Sequence, residues 1–517
     1  MSTGFKRAAF LVHRWTGVSM CVLMVLWFAS GMVMLFAGYP KLTPWERLAG
    51  LPALPAQGCC VDPAALPGVQ DARKLVLTSV RGAPHYVLTD GRGAVTAFDA
   101  RTGRREGAVG REGALEAARS FLPGARASYM GTVGEDRWTH SRALDVHRPL
   151  HVVEMGDGAA TRLYVSSRTG QVMLDAPRAQ RLWNFVGAWL HWLYMFRNQP
   201  SDPVWTWLVI ALSAVGTVSA LTGALNGILR WRFSGRYKSG AKTPFRETAM
   251  RWHHVLGLAF GALVLAWIFS GLMSMNPLGV FDAAGPEPDA AAYAGGTPGV
   301  RRPDLPVARA LALLRDAGFD PRELEWRVLD GAPFLLARDG CDRTRIVAND
   351  GAGFAVLTRW PGARLLAAAR HLMPGAASVP QRVDRYDAYY YARQEQSMYG
   401  ADERRLPVLR LVYDDAHATW THLDPYTGEV ASSLDRRQRL GRWLFNLLHS
   451  WDLPAMLDAG WVREAVLLVL GAGGLLFSGT AVVIGARRLR KRAGAGRAGV
   501  TRPGGAAEAR SSGTGAG

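Results

Sequence analysis

Long apolar runs, separated by stretches of mixed character, dominate this sequence of 517 residues. A helix needs roughly 20 apolar residues to cross a bilayer, and four runs are long enough: 15–37, 204–229, 252–275 and 462–486. A shorter run, 182–196, is rich in aromatic residues, which is typical of an interfacial or half-inserted helix, and 443–451 is its weaker counterpart. The pattern predicts an α-helical integral membrane protein with about four transmembrane helices plus interfacial helices.

Residues 38–181 and 276–440 show a different pattern, in which short alternations of apolar and polar residues end at turn-forming pairs. In the first stretch this pattern predicts strands near 75–80, 86–89 and 95–99, and a helix at 112–121. In the second stretch it predicts a helix at 306–317 and strands near 325–337, 343–348, 408–414 and 418–423. We therefore expect two α+β modules between the spans.

The basic residues indicate which side of the membrane each segment occupies. The formal net charge is +19, with seven Lys or Arg residues in 230–251 and eight in 487–510, next to the ends of predicted spans. Cytoplasmic loops of membrane proteins carry such an excess. We expect a multi-pass protein of the bacterial inner membrane, with both termini cytoplasmic and the two modules periplasmic. Charge placed in this way favours contact with membrane lipid and argues against a nucleic-acid partner.

These patterns together predict the organisation of the chain. In order, the segments are 1–37, the cytoplasmic N-terminus with the first span; 38–181, the first periplasmic module; 182–229, an interfacial helix and the second span; 230–251, a basic cytoplasmic loop; 252–275, the third span; 276–440, the second periplasmic module; 441–486, an interfacial helix and the fourth span; and 487–517, a basic cytoplasmic tail that we expect to be disordered.

Four histidines recur in two matching frames. In the first frame His13 is followed by Ser30-Gly31, and 240 positions later His253 is followed by Ser270-Gly271 at the same spacing. His191, preceded by a Gln-Arg-Leu tripeptide, returns 258 positions later as His449. A polar ring in a membrane segment needs a partner, and a neutral imidazole is a common metal ligand. The recurrence predicts an internal duplication that holds a metal centre, although duplication of a merely structural residue would leave the same trace.

Further histidines are weaker candidates. His254 is the alternative to His253, because adjacent residues lie about 100° apart around a helix. His147 and His151 are four positions apart in a possible strand, where they would face one side and bind metal. His371 precedes Met373-Pro374 and is a candidate of the same rank. The four cysteines form no metal-binding framework, and the absence of a Cys-x-x-Cys-His motif excludes conventional covalent c-type haem attachment.

Several longer motifs resemble a known family. They are His13 to Gly17, Pro149-Leu150-His151, Arg181 to Asn184 with His191-Trp192-Leu193, Trp252 to His254 with Ser270-Gly271, Asp387 to Arg393, Leu406 to Arg410, and His449 to Asp452. Over about residues 5–490 the chain resembles PepSY-associated transmembrane proteins, the inner-membrane group that includes ferric-siderophore reductases and iron-regulated membrane proteins. The two α+β modules look like PepSY domains.

The resemblance implies haem b held by membrane histidines, with electrons passed outward to reduce a ferric siderophore. Combined with the frames and the charge pattern, it predicts two haems b: an inner one bound by His13 and His253, and an outer one bound by His191 and His449. The sequence carries no flavin or nicotinamide fingerprint in a suitable context, so the expected electron donor is membrane quinol or another protein. Two alternatives stay open: a non-enzymatic PepSY protein that binds or regulates a periplasmic partner, and a b-type cytochrome subunit serving another acceptor.

Overall fold

The computed structural model describes residues 2–197, 202–296, 300–392 and 404–500, which form long helices and antiparallel sheets. The helices are α1 Thr3–Met34, α2 Pro44–Ala49, α3 Arg111–Phe121, α4 Arg178–Asn184, α5 Pro203–Arg230, α6 Thr248–Ser274, α7 Ala290–Ala294, α8 Val307–Asp316, α9 Gly362–Ala369, α10 Arg436–Gly441, α11 Leu448–Ser450, α12 Pro454–Leu457 and α13 Trp461–Val500. The strands are β1 Ala72–Val80, β2 Ala83–Asp90, β3 Val95–Asp99, β4 Ala127–Val133, β5 Leu150–Met155, β6 Arg162–Ser166, β7 Val172–Ala176, β8 Glu323–Leu329, β9 Ala332–Arg338, β10 Thr344–Asn349, β11 Phe354–Leu357, β12 Ser378–Val383, β13 Val408–Tyr413, β14 Trp420–Leu423 and β15 Val430–Leu434.

Four of these helices, α1, α5, α6 and α13, are long and apolar enough to cross a membrane, which confirms the predicted number of spans. Their most apolar windows have a mean hydropathy of 2.0 to 2.2. The helix α13 continues to Val500, so the prediction of disorder from 487 onward is wrong up to that residue. Arg, Lys and Ala are strong helix formers and extend the helix past its apolar run. The rest of the predicted tail, 501–517, lies outside the described residues.

The chain divides into two compact units. Among the described residues, the first consists of residues 2–29, 211–269 and 468–500, and the second consists of those within 30–210 and 270–467. Small residues allow the helices of the first unit to pack closely, because a Cβ atom at Gly474 would overlap the ring of Phe28 and one at Gly473 would overlap the ring of Phe260. Such contacts are typical of helices packed in a membrane.

The largest sheet of the second unit joins the two predicted modules. Its seven antiparallel strands have the order β11-β10-β9-β8-β1-β2-β3, and β1 pairs with β8 so that Leu77 lies opposite Leu324. Arg47 forms an ion pair with Glu323 at this junction, at 2.7 Å. Helix α8 contributes Leu311 to the same hydrophobic core as Leu77. The α+β character is as predicted, but the two modules share one sheet and one core.

Two four-stranded meanders complete the sheets, in the orders β4-β5-β6-β7 and β12-β13-β14-β15. The first meander contains His151 but not His147, so the prediction that both lie in one strand is wrong. His147 ends a 3₁₀ helix, Arg142–His147, and β5 begins only at Leu150. Pro149 stands between them and has no N–H to donate to a strand. The two histidines therefore do not lie on one face of one strand.

Candidate functional site

The first histidine pair consists of His13 on α1 and His253 on α6, both in the first unit. The two ring centroids lie 6.2 Å apart, and the ring planes are inclined by 27°. Two side chains that are 240 positions apart in the sequence thus lie side by side between helices. The structure brings together the two residues that the first frame relates.

Hydrogen bonds determine which nitrogen of each ring carries the proton. Nδ1 of His13 lies 2.9 Å from the carbonyl oxygen of Ser219, which can only accept, so Nδ1–H donates. Nδ1 of His253 lies 3.0 Å from the hydroxyl of Thr480, which itself donates to the carbonyl of Phe477 at 2.6 Å. The Thr480 oxygen therefore accepts from His253. In the neutral form both rings keep an unprotonated Nε2, the atom that can bind a metal.

A cavity of about 140 Å³ adjoins the first pair and is lined by both histidines. Glycines form part of its wall, among them Gly223, Gly227 and Gly257, and Phe10 and Phe477 supply aromatic surface. A Cβ atom at Gly223 would lie only 2.6 Å from Cε1 of His13, so this position needs glycine for steric reasons.

His254 is placed differently from its neighbour. Its Nδ1 lies 2.7 Å from the hydroxyl of Thr243, and its Nε2 lies 2.9 Å from the carbonyl oxygen of Gly227. The side chain is buried, with 6% of its surface exposed. Both ring nitrogens are occupied, and His254 links the 230–251 loop to α5. Neither ring nitrogen of His254 is therefore available to bind a metal. The hydrogen bond of His253 engages its Nδ1 and leaves its Nε2 available.

The second histidine pair consists of His191 and His449 in the second unit, with ring centroids 6.3 Å apart and planes inclined by 70°. Each histidine follows a π-helical segment, Phe185–Trp189 in one case and Arg442–Leu447 in the other. Two residues after each histidine the helix ends at a left-handed residue, Leu193 with φ 54° and Trp451 with φ 52°. Short π segments inside helices are frequent at functional sites, because the extra residue turns the following side chains to a new direction.

The Ser-Gly dipeptides of the two frames contact these rings. Ser30 Oγ lies 3.0 Å from Nδ1 of His191, and Ser270 Oγ lies 3.0 Å from Nδ1 of His449. A Cβ atom at Gly31 would lie 3.5 Å from Cε1 of His191, and one at Gly271 would lie 3.7 Å from Cε1 of His449. The two sets of contacts match atom for atom. The sequence analysis used these dipeptides only as markers of the frame and did not predict their contact with histidine, although the regular spacing contained the signal.

A buried ionic network stands next to the second pair. Asp452 is fully buried, and its carboxylate lies 2.9 Å from Nη1 of Arg442 and 3.4 Å from Nη2 of Arg463. Both guanidinium groups are also almost completely buried. Arg463 further donates to the carbonyl of Ser450 from its Nε, at 3.1 Å. The network ties the segment after His449 to the start of α13.

The remaining candidate histidines have ordinary polar partners. His147 is buried and lies 3.1 Å from Ser166 Oγ, and burial lowers the pKa of its ring to about 4. Both nitrogens of His151 are occupied, by Tyr129 OH at 2.9 Å and the carbonyl of Val109 at 2.7 Å. His371 is exposed and lies 3.7 Å from Asp330. Among the described residues, no contact joins these three histidines to one another or to either pair.

Four membrane-length helices combined with antiparallel sheets define a membrane protein with α+β modules. The chain belongs to the PepSY-associated TM region family, whose sequence model matches residues 10–488. This confirms the resemblance seen in the motifs. A comparison with curated proteins found no match.

Proposed function

We propose that this protein is an inner-membrane haem b protein that moves electrons across the membrane and reduces a ferric siderophore in the periplasm. The spacing of the histidine rings carries the proposal. Imidazole nitrogen binds a first-row metal at about 2.0 Å, and the ring centre lies about 1 Å further away, so rings on opposite sides of one iron have centroids about 6 Å apart. The two pairs have centroid distances of 6.2 Å and 6.3 Å.

The residues around the first pair fit a haem in three further respects. Nδ1 of each ring is held by an acceptor, which is the usual arrangement of a histidine that binds metal through Nε2. The cavity wall contains several glycines, which leave space for a flat group. Arg230 lines the same cavity and offers a cation to a carboxylate. We assign His13 and His253 as the ligands and give His254 a structural role.

We assign His191 and His449 as the ligands of a second haem. The matching serine contacts, glycine contacts and left-handed residues at the second pair support an origin by internal duplication. Haem bound between two imidazoles supplies one-electron exchange at an iron that is closed to oxygen. The serines hold each ring through Nδ1 and so set its orientation.

The substrate assignment rests on family membership and on the charge pattern. Basic residues at the ends of the spans support cytoplasmic termini and periplasmic modules, so electrons would leave on the outer side. Reduction of Fe(III) to Fe(II) adds one electron and weakens binding by hard oxygen donors, which releases iron from a siderophore. Membrane quinol or a partner protein supplies the electrons.

The first experiment measures haem in the purified full-length protein. We expect b-type bands in a reduced-minus-oxidised spectrum and two haems per chain. His253→Gln should remove one haem, whereas the matched change His254→Gln at the adjacent position should leave both. His449→Gln should remove the other haem. A spectrum without b-type bands would refute the haem proposal and favour a non-enzymatic PepSY protein.

The second experiment tests the substrate. Dithionite-reduced protein, freed of excess dithionite, is mixed with a ferric siderophore, and the b-type bands are followed. We expect reoxidation with the ferric complex and none with the gallium(III) complex of the same chelator, since gallium(III) accepts no electron under these conditions. A haem protein that the ferric complex does not reoxidise would instead be a b-type cytochrome for another acceptor.

A further inference from the structure

A cluster of side chains of types that can ligate a metal ion lies beside β2 and β3 of the seven-stranded sheet. His85 on β2 and Asp99 on β3 are direct cross-strand partners, and Glu106 follows on a segment that bridges back to β3 through Arg105. One donor atom from each of His85, Asp99 and Glu106 lies within 4.8 Å of the others. All three residues belong to the second unit, and no residue of either histidine pair takes part.

The imidazole of His85 has an unsatisfied nitrogen that faces this cluster. The side chain is 3% exposed, and its Nδ1–H donates to the carbonyl of Ala83 at 2.9 Å. Its Nε2 is buried without a hydrogen-bond partner, and Oε1 of Glu106 lies 3.7 Å away. A neutral Nε2 and a carboxylate oxygen are both acceptors. A buried acceptor without a partner is costly, and a cation between these atoms would satisfy both.

The two carboxylates are already oriented by other contacts. Arg81 donates to Oε2 of Glu106 at 2.6 Å, which leaves Oε1 toward His85. Oδ1 of Asp99 accepts from the amide and hydroxyl of Thr102 and from the amide of Arg101, at 2.8 to 2.9 Å. Metal sites commonly contain such outer contacts, including a histidine whose second N–H donates to a backbone carbonyl.

We propose that His85, Asp99 and Glu106 bind a divalent first-row transition cation. Three protein ligands with an open position for solvent are usual for such ions. Ligands at about 2.0–2.2 Å from one ion lie no more than about 4.4 Å apart, so a small side-chain movement closes the site. The imidazole ligand argues against Mg²⁺ and Ca²⁺, which prefer oxygen. The site does not depend on haem, and either proposal can fail alone.

The test titrates Co²⁺ into tag-free, full-length protein in detergent and follows visible absorption and calorimetry. We expect one Co²⁺ site that is weakened at least about tenfold in Glu106→Gln and in Asp99→Asn. Both changes keep an oxygen for the contacts of Arg81 and Thr102. His371→Ala removes an exposed histidine paired with a single carboxylate and should leave binding unchanged.

Metal-dependent stability gives a second measurement. Co²⁺ or Zn²⁺ should raise the Tm of the wild-type protein and of His371→Ala, and should not raise that of Glu106→Gln. Absence of Co²⁺ binding in the wild-type protein would overturn the proposal. Binding of equal affinity in Glu106→Gln and Asp99→Asn would also overturn it, because the ion would then lie elsewhere.

Discussion

Replacing Gly223 with alanine should displace the ring of His13. The new Cβ would lie 2.6 Å from Cε1 and 2.8 Å from Nδ1 of that ring. Carbon atoms pack at about 3.5–4.0 Å, so the ring has to move by roughly 1 Å. Its Nδ1 lies 2.9 Å from the carbonyl of Ser219, and such a movement takes this contact beyond hydrogen-bond range.

The expected cost follows from the size of this overlap. Overpacking by one methyl group costs about 1–3 kcal/mol, which corresponds to a loss of about 5- to 150-fold in affinity for haem at the first pair. Alanine is a better helix former than glycine by about 1 kcal/mol, so α5 itself should remain folded. The effect should therefore appear at the site and not as general unfolding.

The assay combines the haem content of purified protein with a potentiometric titration of the b-type bands. We expect Gly223→Ala to lose or shift one component and to keep the component of the second pair. Gly227→Ala is the matched control, because it lies one turn further along α5 and lines the same cavity. A Cβ atom there would meet nothing closer than Leu258 Cδ2 at 3.6 Å.

Two results would refute this reasoning. If Gly223→Ala has the haem content and both midpoint potentials of the wild-type protein, the ring of His13 is not confined by α5 as described. If Gly227→Ala loses as much haem as Gly223→Ala, the cavity tolerates no added methyl group, and the specific contact with His13 has no special role.

Three further predictions concern the second unit. Ser270→Ala should keep haem but shift the potential of one component, because His449 loses its hydroxyl partner; an unchanged titration would contradict this. Asp452→Ala should destabilise the protein by about 3–5 kcal/mol, since it removes the carboxylate that pairs with the buried Arg442; a Tm within a degree of the wild-type value would disprove the role of the network. His147 has a folded pKa of about 4 against 6.5 in the unfolded chain, so the unfolded state binds more protons between these values and stability should fall as pH drops from 6.5 toward 4. His147→Asn should flatten that part of the Tm-against-pH curve, and a curve parallel to the wild type would exclude His147 as its cause.

The histidine frames predict the two pairs only in combination with the charge pattern and the family resemblance. The charge pattern predicts the same membrane depth for both members of each frame, so His13 is expected near His253 and His191 near His449. The structure brings each pair within about the same distance, 6.2 and 6.3 Å. Their role as iron ligands stays a prediction that the haem measurements test.

The repeat frame favours His253 over His254, but the contacts of the two rings could not be predicted from the sequence. The two side chains point to different sides of α6. Which groups each ring contacts depends on the neighbouring segments that pack on those sides. Thr243 and Gly227 occupy both nitrogens of His254, whereas Thr480 engages one nitrogen of His253. These partners come from three separate segments of the chain.

The sequence by itself determined the four membrane-length helices, the α+β character of the segments between them and the family, because these depend on local hydrophobicity, residue periodicity and motifs. Only the tertiary structure decided the pairing of β1 with β8, the buried contacts of Asp452 and the cluster around His85. These features join residues that are distant in sequence or depend on strand register, and local patterns carry no information about which side chains finally meet.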